Sequence, residues 1–207
     1  MKFPEEGIYF LFDPTNWKKR PWKKNIREIL PYICALQLRC SGLNDREFFN
    51  TAIELKKMLS TYSIPLIINN RMDIARAAGA DGVHLGKSDI SLPVAKKCFN
   101  GIVGSSRHTA GTAKTAVEEG ADYIGCGPVF KTATKKTGRK TIGTAGFLKI
   151  RKVVKIPAIP IGGINKDNIG RLKSITKIVA ISSAINLSAN PVTAVRHLYK
   201  SLNLAKI

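Results

Sequence analysis

The sequence predicts a single-domain α/β protein of the (β/α)8 TIM-barrel class spanning residues 1–207. Three observations carry this. Eight short segments rich in Val, Ile and Leu are bounded by Gly, Pro, Asn or Ser, as buried strands are. Stretches of helical spacing lie between them, and such alternation implies parallel strands joined by helical crossovers. A weak internal repeat, GADGVHLG at 79–86 and GADYIGCG at 120–127, marks the same helix-to-strand junction twice. A doubly wound open sheet shares the pattern, but eight strands in 207 residues fit a compact barrel better.

The strands follow in order as IYFLF (8–12), ALQLR (35–39), PLIIN (65–69), GVHLG (82–86), GIVGSS (101–106), DYIGCG (122–127), AIPIGG (158–163) and KIVAISS (177–183). After the second, Phe48, Ala52, Leu55 and Leu59 fall on one helical stripe. In the repeat, glycine stands just past a helix, where its left-handed backbone carries no steric cost. No GxGxxG and no GxxxxGK[ST] occurs, which removes the usual dinucleotide and P-loop signals.

Composition sets the outer bounds. With 44% hydrophobic and 23% charged residues the chain is globular. No apolar run approaches the roughly 18 residues of a spanning helix, and MKFPEEGIYFLFDP lacks the basic start and long apolar core of a signal peptide. A cytoplasmic protein without membrane partners is expected. Cys34, Cys40, Cys98 and Cys126 have no CxxC spacing, so reduced and mostly buried thiols are expected. The net charge of +20 would attract polyanions. The basic residues are nevertheless spread along the chain, and only WKKRPWKK (17–24) interleaves them with aromatics. Nucleic-acid binding is therefore not expected as the main function.

In a barrel the loops after the strands carry the chemistry, and phosphate commonly sits after strands seven and eight. Here KTATKK follows strand six, GGI strand seven and SSAI strand eight, which converge glycine amides, hydroxyls and lysine on one mouth. Backbone N–H groups and hydroxyls there suit a phosphate.

Seven ordered blocks, IYFLFD, LQLRCSGLNDREF, PLIINNRMDIARAAGADGVHLGKSD, GSSRHT, GADYIGCGPVFKTATKK, IPIGGI and VAISSAI, make nearly the whole chain similar to the thiamine phosphate synthases and their TenI-like relatives, which are (β/α)8 barrels. The resemblance implies a homodimeric transferase that joins an aminopyrimidine diphosphate to a thiazole phosphate, releasing diphosphate with magnesium assistance. By position it implies that Arg39 and Lys135 contact the diphosphate, Asn69 hydrogen-bonds to it, and Asp89 ligates magnesium. Gln37 and Ser106 resemble pyrimidine contacts, while Thr132, Thr134 and the amides of Gly163, Ser182 and Ser183 would cradle the thiazole phosphate.

Of the three histidines, His84 inside a strand reads as structural, His197 belongs to a terminal helix, and His108 is placed to act. Two positions depart from the family pattern: Ser41 stands for its usual lysine and Asn70 for its usual aspartate, which weakens the metal and diphosphate half. Lys87 and Arg107 are the residues expected to restore the lost cation. Two other functions fit the same blocks: a TenI-like isomerase that aromatises the thiazole phosphate through His108, and a phosphate or nucleic-acid binding protein without catalysis.

Overall fold

The computed structural model describes residues 2–18, 20–39, 42–132 and 140–202. Eight parallel strands form one sheet: β1 (Gly7–Phe12), β2 (Ala35–Leu38), β3 (Leu66–Asn69), β4 (Gly82–Leu85), β5 (Ile102–Arg107), β6 (Tyr123–Cys126), β7 (Ala158–Pro160) and β8 (Ile178–Ile181). Each expected strand is present; β1 begins one residue earlier and β5 ends one residue later than expected, and the other ends are unchanged or trimmed. The pairing order β7-β6-β5-β4-β3-β2-β1-β8 returns the last strand to the first. A single bridge, Ile161 to Ala180, joins the β7 side to β8, so the barrel is nearly closed.

Around the sheet run α1 (Trp22–Ile29), α2 (Asp45–Leu59), α3 (Met72–Ala77), α4 (Leu92–Cys98), α5 (Ala110–Glu118), α6 (Gly143–Arg151), α7 (Ser183–Asn186) and α8 (Pro191–Ser201). The expected stripe of Phe48, Ala52, Leu55 and Leu59 is the buried face of α2, whose start is closed by a capping box between Asn44 and Glu47. The seventh crossover holds only a 3-10 turn, Ile169–Arg171, in place of an α-helix. Its sequence explains the difference. Asn165 and Asn168 turn their side chains onto nearby backbone N–H groups, and Gly170 weakens any helix begun there.

Strand alternation divides the apolar residues into two sets. Ile8, Phe10, Phe12, Leu36, Leu38, Ile68, Val83, Val103 and Ile124 face the helices and form the larger core with them. Tyr9, Leu11, Ala35, Ile67, Ile102, Tyr123, Ile159, Ile178 and Ala180 point into the barrel, joined by Phe3 from the N-terminal segment. Glycines stand at inward positions where large rings pass. A Cβ on Gly104 would overlap the Tyr123 ring, which is fully buried and stacked on Phe3 with centroids 3.8 Å apart.

The GAD repeat has a structural purpose beyond its glycine. Gly79 and Gly120 adopt φ of +61° and +88°. Asp81 then accepts the Leu66 N–H at 2.9 Å and meets Lys56 Nζ at 2.6 Å. Asp122 likewise accepts the Val103 N–H at 2.7 Å and meets Lys96 Nζ at 2.9 Å. Each aspartate thus ties the start of one strand to the strand before it. In WKKRPWKK the aromatic residues serve the core: Trp17 is buried with Phe10 and Phe12, and the half-buried Trp22 packs against the core.

Two outcomes follow. Gly104→Ala overpacks the interior and is expected to lower stability by about 1–3 kcal/mol, read as a lower denaturation midpoint at unchanged slope. Burial pushes the Cys34 and Cys126 thiols up to about 12, whereas Cys98 is exposed. Alkylation at pH 8 should therefore spare Cys34 and Cys126 in the folded protein and label Cys98.

Candidate active site

The inward parity of each strand carries on past its C-terminal end. Gln37 and Arg39 continue the inward series of Ala35, Asn69 that of Ile67, Ser106 and His108 that of Gly104, Gly163 that of Ile159, and Ser182 that of Ala180. Residues from five distant segments are thereby aimed at one end of the barrel.

A cleft of about 580 Å³ opens there between the ends of β1, β2, β6, β7 and β8. It brings together Arg39, Thr132, Gly163, Ser182 and Ser183, five of the residues singled out by sequence, with Asp13, Lys131, Asn165 and Asn186 beside them. Gly163 is required by both conformation and space: its φ is +68°, and a Cβ would stand 2.7 Å from the Phe130 carbonyl oxygen and closer to that of Lys131. The strand-seven loop is thus pressed onto the strand-six loop, where the Phe130 N–H donates to Gly162 at 3.0 Å. Asn168 Nδ2 donates to the Gly163 carbonyl at 2.8 Å and holds the turn from the other side.

The Ser182–Ser183 corner is fixed by Asn186, which is 1% exposed. Its Nδ2 donates to the carbonyl oxygens of Leu11 (2.7 Å) and Ser182 (3.1 Å), and its Oδ1 accepts the Asp13 N–H at 3.2 Å. Asp13 accepts from the Thr15 N–H and hydroxyl at 3.1 and 2.6 Å. Sequence reasoning missed both Asp13 and Asn186. Asp13 follows Leu11 in the inward phase of β1, and that phase was the available signal. The Arg39 guanidinium makes no hydrogen bond or ion pair among the described residues, so this cation is available to an anion in the cleft.

A second cleft of about 340 Å³ lies at the ends of β4 and β5 and is lined by Lys87, Asp89, Ser106 and His108. Asp89 Oδ2 accepts the Gly86 N–H at 2.6 Å. The imidazole Nδ1 of His108 bonds to the Gly127 carbonyl oxygen, which can only accept, so Nδ1 carries the proton. Asn69 ends β3 half-buried, and Asn70 follows it exposed at φ +66°. Neither lines the two clefts. Gln37 is 1% exposed, and its Nε2 donates to the Tyr9 hydroxyl at 2.6 Å, inside the barrel and below the mouth. Ser41, Thr134 and Lys135 lie outside the described residues.

His84 is buried and hydrogen-bonded as a structural histidine is, its Nε2 meeting the Ser106 hydroxyl at 2.9 Å. One expectation changes. Arg107 lines the second cleft, but its guanidinium is not free there. One residue out of phase with Ser106, it donates to Ser105 Oγ at 2.6 Å and to the carbonyls of Ser106 and Thr112 at 2.9 and 3.0 Å, with Glu119 at 3.5 Å. Desolvation draws this guanidinium below the ordinary arginine range, against the opposing pull of Glu119. Lys87 is exposed at the second cleft and remains the candidate cation there.

Comparison with known proteins identifies the family and the fold. The family model described as thiamine monophosphate synthase matches residues 8–185. A thiamine-phosphate synthase of Clostridium botulinum (strain Loch Maree / Type A3) is 39% identical over 183 residues, covering 86% of this chain and 89% of that protein. One from Clostridium novyi (strain NT) is 44% identical over 138 residues, covering 64% and 66%. The solved thiamine phosphate pyrophosphorylase from Pyrococcus furiosus superposes with a TM-score of 0.86 at 34% identity, covering 95% of each chain. A 3-hexulose-6-phosphate synthase from Salmonella typhimurium, at 16% identity and a TM-score of 0.69, shares the fold alone.

The two cations should separate in a stability measurement. Arg107→Ala removes a charge bonded to two carbonyls and is expected to lower unfolding free energy by about 1–3 kcal/mol. Lys87→Ala, at an exposed position, should change it by less than about 0.5 kcal/mol.

Proposed function

The chain belongs to the thiamine monophosphate synthase family, and from that membership we propose that it is a transferase joining an aminopyrimidine diphosphate to a thiazole phosphate. The observation that supports this most is the presence of two clefts of different chemistry at the C-terminal ends of the strands. The first has glycine and serine amides, hydroxyls and an available arginine; the second has a carboxylate, a lysine and a hydroxyl.

In this reading Thr132, Thr134 and the amides of Gly163, Ser182 and Ser183 hold the thiazole phosphate. The leaving diphosphate lies across Arg39, Lys135 and Asn69, with Lys87 supplying the cation that Ser41 does not. Its C–O bond breaks with the electron pair leaving on oxygen, and the pyrimidinylmethyl cation is captured by the thiazole nitrogen. No proton transfer is obligatory. Cations fixed where negative charge grows lower the barrier because they need no reorganisation during the step. His108, with Nδ1 on Gly127, borders the reacting region and is assigned orientation of the ligands.

Asp89 is the carboxylate that fits magnesium. One of its oxygens is taken by Gly86, and no group of three His, Cys, Asp or Glu side chains gathers among the described residues. Magnesium is commonly held by one or two carboxylates with substrate phosphates and water, so Asp89, aided by the amide oxygen of Asn70, suits that mode. When bound, the ion neutralises charge on the departing diphosphate. No helix among the described residues is long and apolar enough to cross a membrane. The reading is completed by a cytoplasmic setting and a homodimer, which light scattering checks.

The test is turnover with both substrates and magnesium. Diphosphate should appear in equal amount with thiamine phosphate. Asp89→Asn should lower that rate by about 100-fold or more, and Lys87→Ala should raise KM for the diphosphate substrate by about 3 to 10-fold. Thiazole phosphate isomerisation without diphosphate release, abolished in His108→Asn, would replace this function with the TenI-like isomerase.

A further inference from the structure

The cations of this chain are spread along its length, and the carboxylates are not. Residues 123–207 hold 16 of the 34 Lys and Arg but one of the 14 Asp and Glu, Asp167, and so carry +15 of the net +20. The strand starts show where the difference arises. Asp81 before β4 and Asp122 before β6 neutralise Lys56 and Lys96, cations in the last turns of α2 and α4. The corresponding position is Pro157 before β7 and Lys177 before β8.

In a barrel of parallel strands each helix runs back along the sheet, so its last turn and the segment entering the next strand lie at the end opposite the mouth. Lys149, Arg151 and Lys152 close α6, Lys155 leads into β7, Lys173 leads into β8, and Lys200 lies in the last turn of α8. All six are exposed, and none has an ion pair among the described residues. Beside them Lys177 meets Glu6 at 3.3 Å. The Ile161–Ala180 bridge makes β7 and β8 neighbours, so the six cations share one sector of the far end. The helix dipole favours a cation in a last turn by about 0.3–1 kcal/mol. That accounts for each cation singly and not for the missing carboxylates.

We infer that this sector of the far end is a docking surface for a nucleic-acid duplex, held by its phosphates without reading of the sequence. A polyanion is the partner that unpaired clustered cations fit, because each phosphate they neutralise releases condensed counterions. The surrounding surface selects a duplex among polyanions. Residues 123–202 expose no Phe, Tyr or Trp among the described residues, so the bases of a single strand find no ring to stack on. Their exposed large apolar side chains are Val153 and Leu187, and Leu187 belongs to the first cleft at the mouth. Stable attachment to a membrane takes a second signal beside a basic patch, whereas charge alone suffices for non-specific nucleic-acid binding. This surface is separate from the mouth, and the inference does not rest on the transferase reading.

The test is binding of the full chain to a fluorescent RNA duplex of mixed sequence and about 20 base pairs, read by anisotropy between about 50 and 200 mM salt. Two variants of equal charge loss are compared with the parent. One is K149Q/R151Q/K152Q/K155Q; the other is K24Q/K57Q/K97Q/K114Q, at exposed positions in the first 122 residues. The first is expected to bind at least about 10-fold more weakly at low salt, with a log–log salt slope smaller by about 2 to 4, and the second to stay within about threefold of the parent. Equal losses in the two variants overturn the inference, as does a parent that leaves the duplex free at about 50 mM salt.

Amide chemical shifts of the unmutated chain locate the contact without any variant. Addition of the duplex should move Lys149, Lys152, Lys155, Lys173 and Lys200 and leave Gly163, Ser182 and Ser183 in place. Shifts centred on Gly163 and the two serines would put the phosphates in the mouth and overturn the far-end assignment. Two competitors decide the class of partner. A single strand of the same length should displace the duplex poorly, and vesicles of anionic phospholipid should not displace it at matched phosphate concentration. Displacement by either, lost in K149Q/R151Q/K152Q/K155Q, replaces the duplex with that competitor.

Discussion

Everything at the mouth depends on how the barrel interior is filled. Two tyrosine rings and Phe3 occupy the axis, with Phe3 stacked on Tyr123 and Tyr9 set edge-on to both. They fit because Gly82, Gly104, Gly125, Ala35 and Ala180 stand at inward positions and supply almost no volume. The rings bring two hydroxyls into a region that water does not reach, where an unmatched hydroxyl costs about 1–3 kcal/mol. Gln37 and His84 are the partners that remove this penalty. Packing and polarity are therefore solved by the same residues, and the solution reaches the surface at Ser106.

Strand phase turns this interior into a site. Side chains alternate between barrel and helices, so a residue beyond a strand end inherits its direction from the strand. Ser106 and His108 inherit the inward direction, and Arg107 between them reaches Glu119 and the α5 side along the wall of the second cleft. The two clefts inherit different chemistry in the same manner. Around Gly163 and Ser182 the backbone itself is exposed, held by Asn168 and Asn186. Around Asp89 the side chains carry the charge.

Most of the fold was legible in the sequence, because buried parallel strands are short apolar runs and glycines punctuate the helix ends. Eight strands and their order could be read; the weakened seventh crossover could not, since asparagine side chains competing for backbone N–H groups leave little trace in periodicity. The phosphate-type cleft was also legible, as Thr132, Gly163, Ser182 and Ser183 are the hydroxyl and glycine clusters at strand ends. The position of Arg107 at the second cleft was legible from its strand end, but its engagement was not, because the Ser105 hydroxyl and the carbonyls that hold its guanidinium leave no mark in composition. The partners of His84 and the role of Asp13 were not legible either. Both are in phase with the interior, but their partners are 39 and 173 residues away in the chain, a separation that no local pattern reports.

The central claim is that the strand ends carry two clefts of different chemistry, with phosphate held by backbone on the β7–β8 side. Amide chemical shifts during a titration with thiazole phosphate, without the second substrate or metal, test it most directly. The account predicts saturating shifts at Gly163, Ser182 and Ser183, with little change at Gly86 and Asp89. Shifts confined to the Gly86–Asp89 turn, with Gly163 and the two serines unmoved at saturation, would contradict it.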